Sequence, residues 1–122
     1  KVQAFDGDAA MIAALTTAAR AAKGLKPLEA VRRDLFRRPL VASELNKFDA
    51  VVIDPPRTGA AAQIEQIAES KLPRAVYVSC NPASFARDAR TLIDRGFRLA
   101  AITPVDQFLW SAQLELAARF ER

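Results

Sequence analysis

Short apolar runs alternate along this chain with helix-period segments, and most runs are cut off by an acid, a proline or a polar turn. Val2 to Phe5 reads as a strand, and Asp8 caps a following helix whose Met11, Leu15, Ala18 and Ala22 share one face and which Gly24 ends. Leu28 to Arg32 reads as a second strand running into Asp34. Phe48 to Ile53 is an apolar run broken only by Asp49, the pattern of a strand covered on both faces, and Asp54-Pro55-Pro56 stops it. A helix from about Ala60 to Ser70 offers Ile64, Ile67 and Ala68 to a sheet. Ala75 to Val78 is the next strand, and Asn81 and Pro82 suit the cap and first turn of a helix carrying Phe85, Ala89, Leu92 and Ile93, closed by Gly96. Phe97 to Thr103 and Gln113 to Phe120 are separated by too few residues for a helical crossover, so they pair antiparallel. The pattern predicts an α/β fold: a doubly wound, mostly parallel Rossmann-like sheet with an antiparallel strand near its end.

With 122 residues, about half of them hydrophobic, the chain can bury one core, so residues 1–122 are expected to form a single domain. One cysteine permits no internal disulfide, which suits a reducing compartment. The absence of histidine removes imidazole acid–base chemistry and the usual zinc sites, and no metal site is expected. Apolar runs stop well short of membrane-spanning length, so a soluble, cytoplasmic protein without a membrane partner is expected. A net charge of +4 favours a polyanion without identifying one.

In an open parallel sheet, ligands bind in the crevice at the carboxyl ends of the strands. Asp6, Asp34, Asp54 and Cys80 each follow such an end, so four loops are expected to converge on one edge. Each aspartate alone is also a good cap or turn residue. In the nucleotide-binding reading, Asp6 can accept from two ribose hydroxyls and Asp34 from an exocyclic amine. Cys80 at the start of a helix has the environment of an activated thiol, while a lone cysteine is also often a small buried apolar residue.

Asp54-Pro55-Pro56-Arg57-Thr58-Gly59, then Tyr77-Val78-Ser79-Cys80-Asn81-Pro82 and Arg87-Asp88, closely resemble the S-adenosylmethionine-dependent RNA uracil-5-methyltransferases. The resemblance runs the length of the chain, through Asp34-Leu35-Phe36 and Asp106-Gln107-Phe108 to Glu115. It implies that the protein methylates carbon 5 of a uridine in structured RNA, ribosomal or transfer, with S-adenosylmethionine as cofactor. Cys80 matches the nucleophile that attacks carbon 6 of the uracil, and Glu115 the base that later removes the proton from carbon 5. Asp6, Asp34 and Asp54 match the cofactor-binding acids. Without the resemblance, Glu115 reads as an exposed strand carboxylate.

The chain departs from the family pattern at Gln113, where a histidine is usual, and it starts at the fold's second strand. It is therefore expected to be the C-terminal portion of a catalytic domain, lacking the first strand and its glycine-rich turn, and inactive by itself. Arg32, Arg33, Arg37 and Arg38 can hold phosphates or form a solvated face, with the latter preferred. Trp110 and Phe108 can stack on a base or anchor their loop, and packing is preferred. Two other readings remain: a non-catalytic RNA-binding or interaction module that retains the fold, and an amino-group methyltransferase that needs no cysteine. The oligomeric state is left open.

Overall fold

The computed structural model describes the chain apart from residues 107–109 and 112. The chain divides into two compact units, Lys1–Pro39 and Leu40–Arg122. Among the described residues, no helix is long and apolar enough to cross a membrane.

The first unit contains β1 (Val2–Asp6), α1 (Ala9–Ala21) and β2 (Leu28–Arg32). The strands pair in parallel, with Val2 opposite Leu28 and Asp6 opposite Arg32. Asp8 caps α1, its carboxylate accepting from the N–H groups of Ala10 at 2.7 Å and Met11 at 3.0 Å. The helix stops at Ala21, and Gly24 makes a left-handed turn (φ +76°) beyond it. Its inner stripe differs from the predicted one. Ile12, Leu15, Thr16 and Ala19 are half-buried, whereas Met11 is 66% exposed and Ala18 and Ala22 are exposed. Alanine is common all round this helix, so composition alone does not fix which stripe turns inward.

The second unit contains α2 (Ala42–Leu45), β3 (Val51–Ile53), α3 (Ala61–Glu69), β4 (Arg74–Ser79), α4 (Pro82–Asp94), β5 (Arg98–Val105) and β6 (Glu115–Glu121). Its sheet order is β3-β4-β6-β5: β3 and β4 run parallel, and β6 is antiparallel to both β4 and β5. The antiparallel pairing of the last two strands agrees with the sequence, but the insertion of β6 beside β4 was not legible there. A register shift between Leu99 and Ala101 lets β5 carry an extra residue. The short α2 was also not anticipated. Its start is marked by Glu44, whose carboxylate accepts from the Val41 N–H at 3.0 Å, half of a capping box that a valine side chain cannot complete.

The core lies on one face of this sheet. Ala75, Tyr77 and Ser79 of β4 alternate inward and face Phe120, Ala118 and Leu116 of β6. Phe85 of α4 meets Tyr77 edge-on at 5.5 Å between ring centroids and Phe120 at 6.3 Å. Ile64, Ile67, Leu72 and Leu92 are fully buried in the same unit. Each such side chain contributes roughly 1.5–3 kcal/mol by leaving water.

Two expectations fail at this core's margins. Ile93 is 44% exposed, because the buried stripe of α4 is Ser84, Phe85, Asp88, Ala89 and Leu92. Val52 is 71% exposed although the sequence reads as a strand covered twice: it pairs with Val76, on the face opposite Tyr77 and Phe85. Arg122 closes the unit. It donates from its backbone to Pro73 O and from Nη2 to Ile67 O and Ala68 O at the end of α3, and its guanidinium lies 3.8 Å over the Phe97 ring.

Candidate active site

In the first unit the two predicted acids sit at the ends of adjacent strands. Asp6 closes β1, and its Oδ1 accepts from the Asp8 N–H at 2.7 Å. Asp34 follows β2, and its Oδ1 accepts from Phe36 N at 3.1 Å and Arg37 N at 3.2 Å, starting the turn to Arg38. Both are exposed. The neighbouring arginines are partly committed to backbone: Arg32 Nε donates to Gly7 O, and Arg33 donates to Arg38 O and Pro39 O. Arg37 lies 3.7 Å from the Asp34 carboxylate.

In the second unit Asp54 and Cys80 directly follow β3 and β4, and Glu115 opens β6, three strands that neighbour one another in that order. The β4–β6 ladder runs from Arg74 opposite Glu121 to Ser79 opposite Leu116. Cys80 and Glu115 are therefore the next two positions facing each other on that ladder. In the β3–β4 register, Ile53 lies beside Tyr77, which sets Asp54 level with Val78, two residues before the cysteine on the adjoining strand. Cys80 is half-buried and its thiol is free, Glu115 is half-buried, and Asp54 is exposed.

The turn holding Cys80 is tied on both sides. The Ser79 hydroxyl accepts from the Asn81 N–H, and Asn81 Oδ1 caps α4 by accepting from Ala83 N at 3.0 Å, with Pro82 in the first turn. Asn81 Nδ2 reaches across to donate to Arg57 O at 2.9 Å, in the loop after β3.

That loop is held by a buried carboxylate that the sequence reading had assigned no role. Asp88 is 1% exposed. Its Oδ2 accepts from the Tyr77 hydroxyl at 2.6 Å and from the Ala60 N–H at 2.8 Å. Its Oδ1 accepts from Arg87 Nε and Nη2 at 2.9 and 2.8 Å, and the same Nη2 donates to Thr58 O at 2.9 Å. Burial, reinforced by the Asp88 carboxylate, pushes the Tyr77 phenol well above its usual range. Gly59 lies against this cluster with φ +80°; a Cβ there would collide with Arg87 and sit 2.7 Å from Asp88 Oδ2. A signal for Asp88 was present in the sequence, since it falls on the stripe of Phe85, Ala89 and Leu92 where an unpaired acid would be costly.

Other expectations divide. Trp110 is fully exposed, with φ 62°, so it does not pack as preferred from the sequence. Phe108 lies outside the described residues.

The tRNA (uracil-5-)-methyltransferase family model matches residues 8–122. An uncharacterized RNA methyltransferase of Mesorhizobium japonicum is 52% identical over 122 residues, all of this chain and 30% of that protein. A 23S rRNA (uracil(1939)-C(5))-methyltransferase of Vibrio vulnificus is 45% identical over 76 residues, 62% of this chain and 17% of its own length. The chain thus spans about 30% of the length of the most similar of these relatives. Among solved structures, the Pyrococcus abyssi tRNA (uracil-54, C5)-methyltransferase in complex with S-adenosyl-L-homocysteine superposes with a TM-score of 0.78 at 28% identity, covering 98% of this chain and 28% of that one.

Proposed function

Since the chain belongs to the tRNA (uracil-5-)-methyltransferase family, we propose that the protein methylates carbon 5 of a uridine in ribosomal or transfer RNA through a covalent adduct at Cys80. The observation that carries this reading is the β4–β6 register, which makes Cys80 and Glu115 facing positions just beyond the last ladder pair. A nucleophile and a base on facing positions of one ladder can serve the same ring.

In this mechanism the Cys80 thiolate adds to carbon 6, and the electron pair of the 5,6 double bond moves toward carbon 5 and the adjoining carbonyl. Carbon 5, otherwise a poor nucleophile, then takes the methyl group. Glu115 removes the remaining proton from carbon 5, the double bond re-forms, and the thiolate leaves. The thiol needs access to the face of the ring, so the uridine must be unpaired or flipped out.

S-adenosylmethionine, when bound, supplies the methyl group. The acids proposed to bind it are Asp6, Asp34 and Asp54, and their chemistry suits hydroxyl and amine donors. Among the described residues, Asp6 Oδ2 and both oxygens of Asp54 accept no protein hydrogen bond, which leaves acceptor capacity for a ligand. This reading treats both units as parts of one methyltransferase domain.

The test uses the full-length enzyme with S-adenosylmethionine and RNA containing 5-fluorouridine. Fluorine cannot leave carbon 5 as a proton does, so a denaturation-resistant adduct at Cys80 is expected by mass spectrometry. Cys80→Ala should abolish both adduct and turnover while retaining cofactor binding. Binding of both substrates without an adduct would overturn the reading in favour of a non-catalytic module or another methyl acceptor.

A further inference from the structure

We propose that Asp88 is a positioning residue for methyl transfer, fixing the Asp54–Ala60 loop to the turn that carries Cys80 through Tyr77, Arg87 and the Ala60 N–H. The proposal rests on the reading just given, in which Asp54 serves the cofactor and Cys80 the uracil.

The loop after β3 is fastened at three places, each time by α4 or its cap residue, which directly follow Cys80. Asn81 takes Arg57 O, Arg87 takes Thr58 O, and Asp88 takes the N–H of Ala60. Asp88 ties the last two together, since the Arg87 nitrogen that reaches Thr58 also contacts its Oδ1, and Oδ2 is shared between Ala60 and the hydroxyl of Tyr77. Tyr77 is three residues before Cys80 on the same strand. The loop is thereby referenced to the nucleophile's own strand. Gly59 permits this approach because no Cβ fits between the loop and the Arg87–Asp88 pair.

A carboxylate can serve all these donors only as an acceptor at both oxygens. Methyl transfer requires the methyl group and carbon 5 in line at near-contact distance, and a misplacement of about 1 Å can cost on the order of a hundredfold in rate. Asp88 touches neither reactant; it acts on the spacing between the two loops.

The test compares full-length wild-type enzyme with Arg87→Met, Arg87→Lys, Tyr77→Phe and Asp88→Asn. Turnover is normalised to the fraction of molecules that bind S-adenosylhomocysteine. Arg87 is half exposed at the surface and Tyr77→Phe keeps the ring, so these variants decide the matter if Asp88→Asn does not fold. Arg87→Met is expected to lower kcat roughly tenfold or more with KM for RNA unchanged, Arg87→Lys to recover part of the loss, and Tyr77→Phe to show a smaller loss of the same kind. Wild-type kcat per binding-competent molecule in Arg87→Met and Tyr77→Phe, with only the melting temperature lowered, would overturn the proposal. A wild-type enzyme that forms no 5-fluorouridine adduct at Cys80 would overturn it together with the reading beneath it. An adduct in wild type combined with unchanged variant kcat would overturn the proposal alone.

Discussion

Asp34 in the first unit and Asp88 in the second each accept several hydrogen bonds, but they draw their donors from different distances along the chain. Asp34 is exposed and takes the N–H groups of Phe36 and Arg37, two and three residues on. Asp88 is buried and takes a hydroxyl 11 residues away and an N–H 28 residues away, besides its neighbour Arg87. The first arrangement shapes a local turn that water could largely replace. The second joins a strand, a helix and a loop around a buried carboxylate and a buried phenol, so its loss strands the Tyr77 hydroxyl and the Ala60 N–H at once.

The largest expected effect follows from that contrast. Asp88→Ala removes the acceptor for Tyr77, Ala60 and Arg87 together and should destabilise the protein by roughly 1–3 kcal/mol for each enclosed donor it strands, the Tyr77 hydroxyl and the Ala60 N–H, while the half-exposed Arg87 turns to water. Urea unfolding monitored by far-ultraviolet circular dichroism would measure it. A cost near that of Asp34→Ala would show that burial and long-range partners add nothing here.

Next comes Gly59→Ala. Its positive φ and the missing space beside Arg87 and Asp88 act together, and a loss of about 1–3 kcal/mol is expected. Gly24, also at positive φ but with open space within 4 Å of where a Cβ would stand, is the control in the other unit. Its alanine variant should feel only the backbone term and cost less.

The same contrast explains what was legible in the sequence. Local signals placed the strands beginning at Val2 and Leu28, the Asp8 and Asn81 caps, the stop at Asp54-Pro55-Pro56 and the antiparallel end of the chain. Each depends on residues a few positions apart. Insertion of β6 between β4 and β5 was not legible, because strand order is decided by packing over the whole sheet. The inward stripe of α1 was missed where alanine blurs the pattern, and the exposure of Val52 depends on what covers each sheet face. Of the candidate site, residue types were readable from the motifs. The facing positions of Cys80 and Glu115 and the grip of Asp88 on the loop required the register.

Alkaline titration gives a third test, reading the buried cluster directly because Tyr77 is the only tyrosine. Burial first, and the Asp88 hydrogen bond second, raise its pKa in the folded state. Below about pH 10, the usual tyrosine value, its contribution to stability is fully present. Above that pH the unfolded chain releases the proton and the native chain keeps it, so stability should fall by about 1.4 kcal/mol per pH unit. Phenolate absorbance should therefore appear together with unfolding. Its appearance near pH 10 in folded protein would contradict the enclosed hydroxyl. Tyr77→Phe should lose this contribution to the slope.

The smallest effect separates the two aspartates by chemistry instead of size. Asp34→Ala should cost about 1 kcal/mol, the usual loss on removing a side-chain acceptor from a turn or cap. Asp34→Asn should cost almost nothing, because an amide oxygen accepts the same N–H groups and the ion pair with Arg37 is an exposed one. At position 88 the amide should not rescue. One oxygen cannot serve all the donors now shared between two, and the NH₂ group would be turned either toward the Arg87 guanidinium or toward the Tyr77 hydroxyl and the Ala60 N–H. Melting temperatures of the four variants are sufficient to check this. Equal rescue by asparagine at both positions would mean that the Asp88 cluster tolerates one missing acceptor, and the long-range carboxylate would then be no more demanding than the local one.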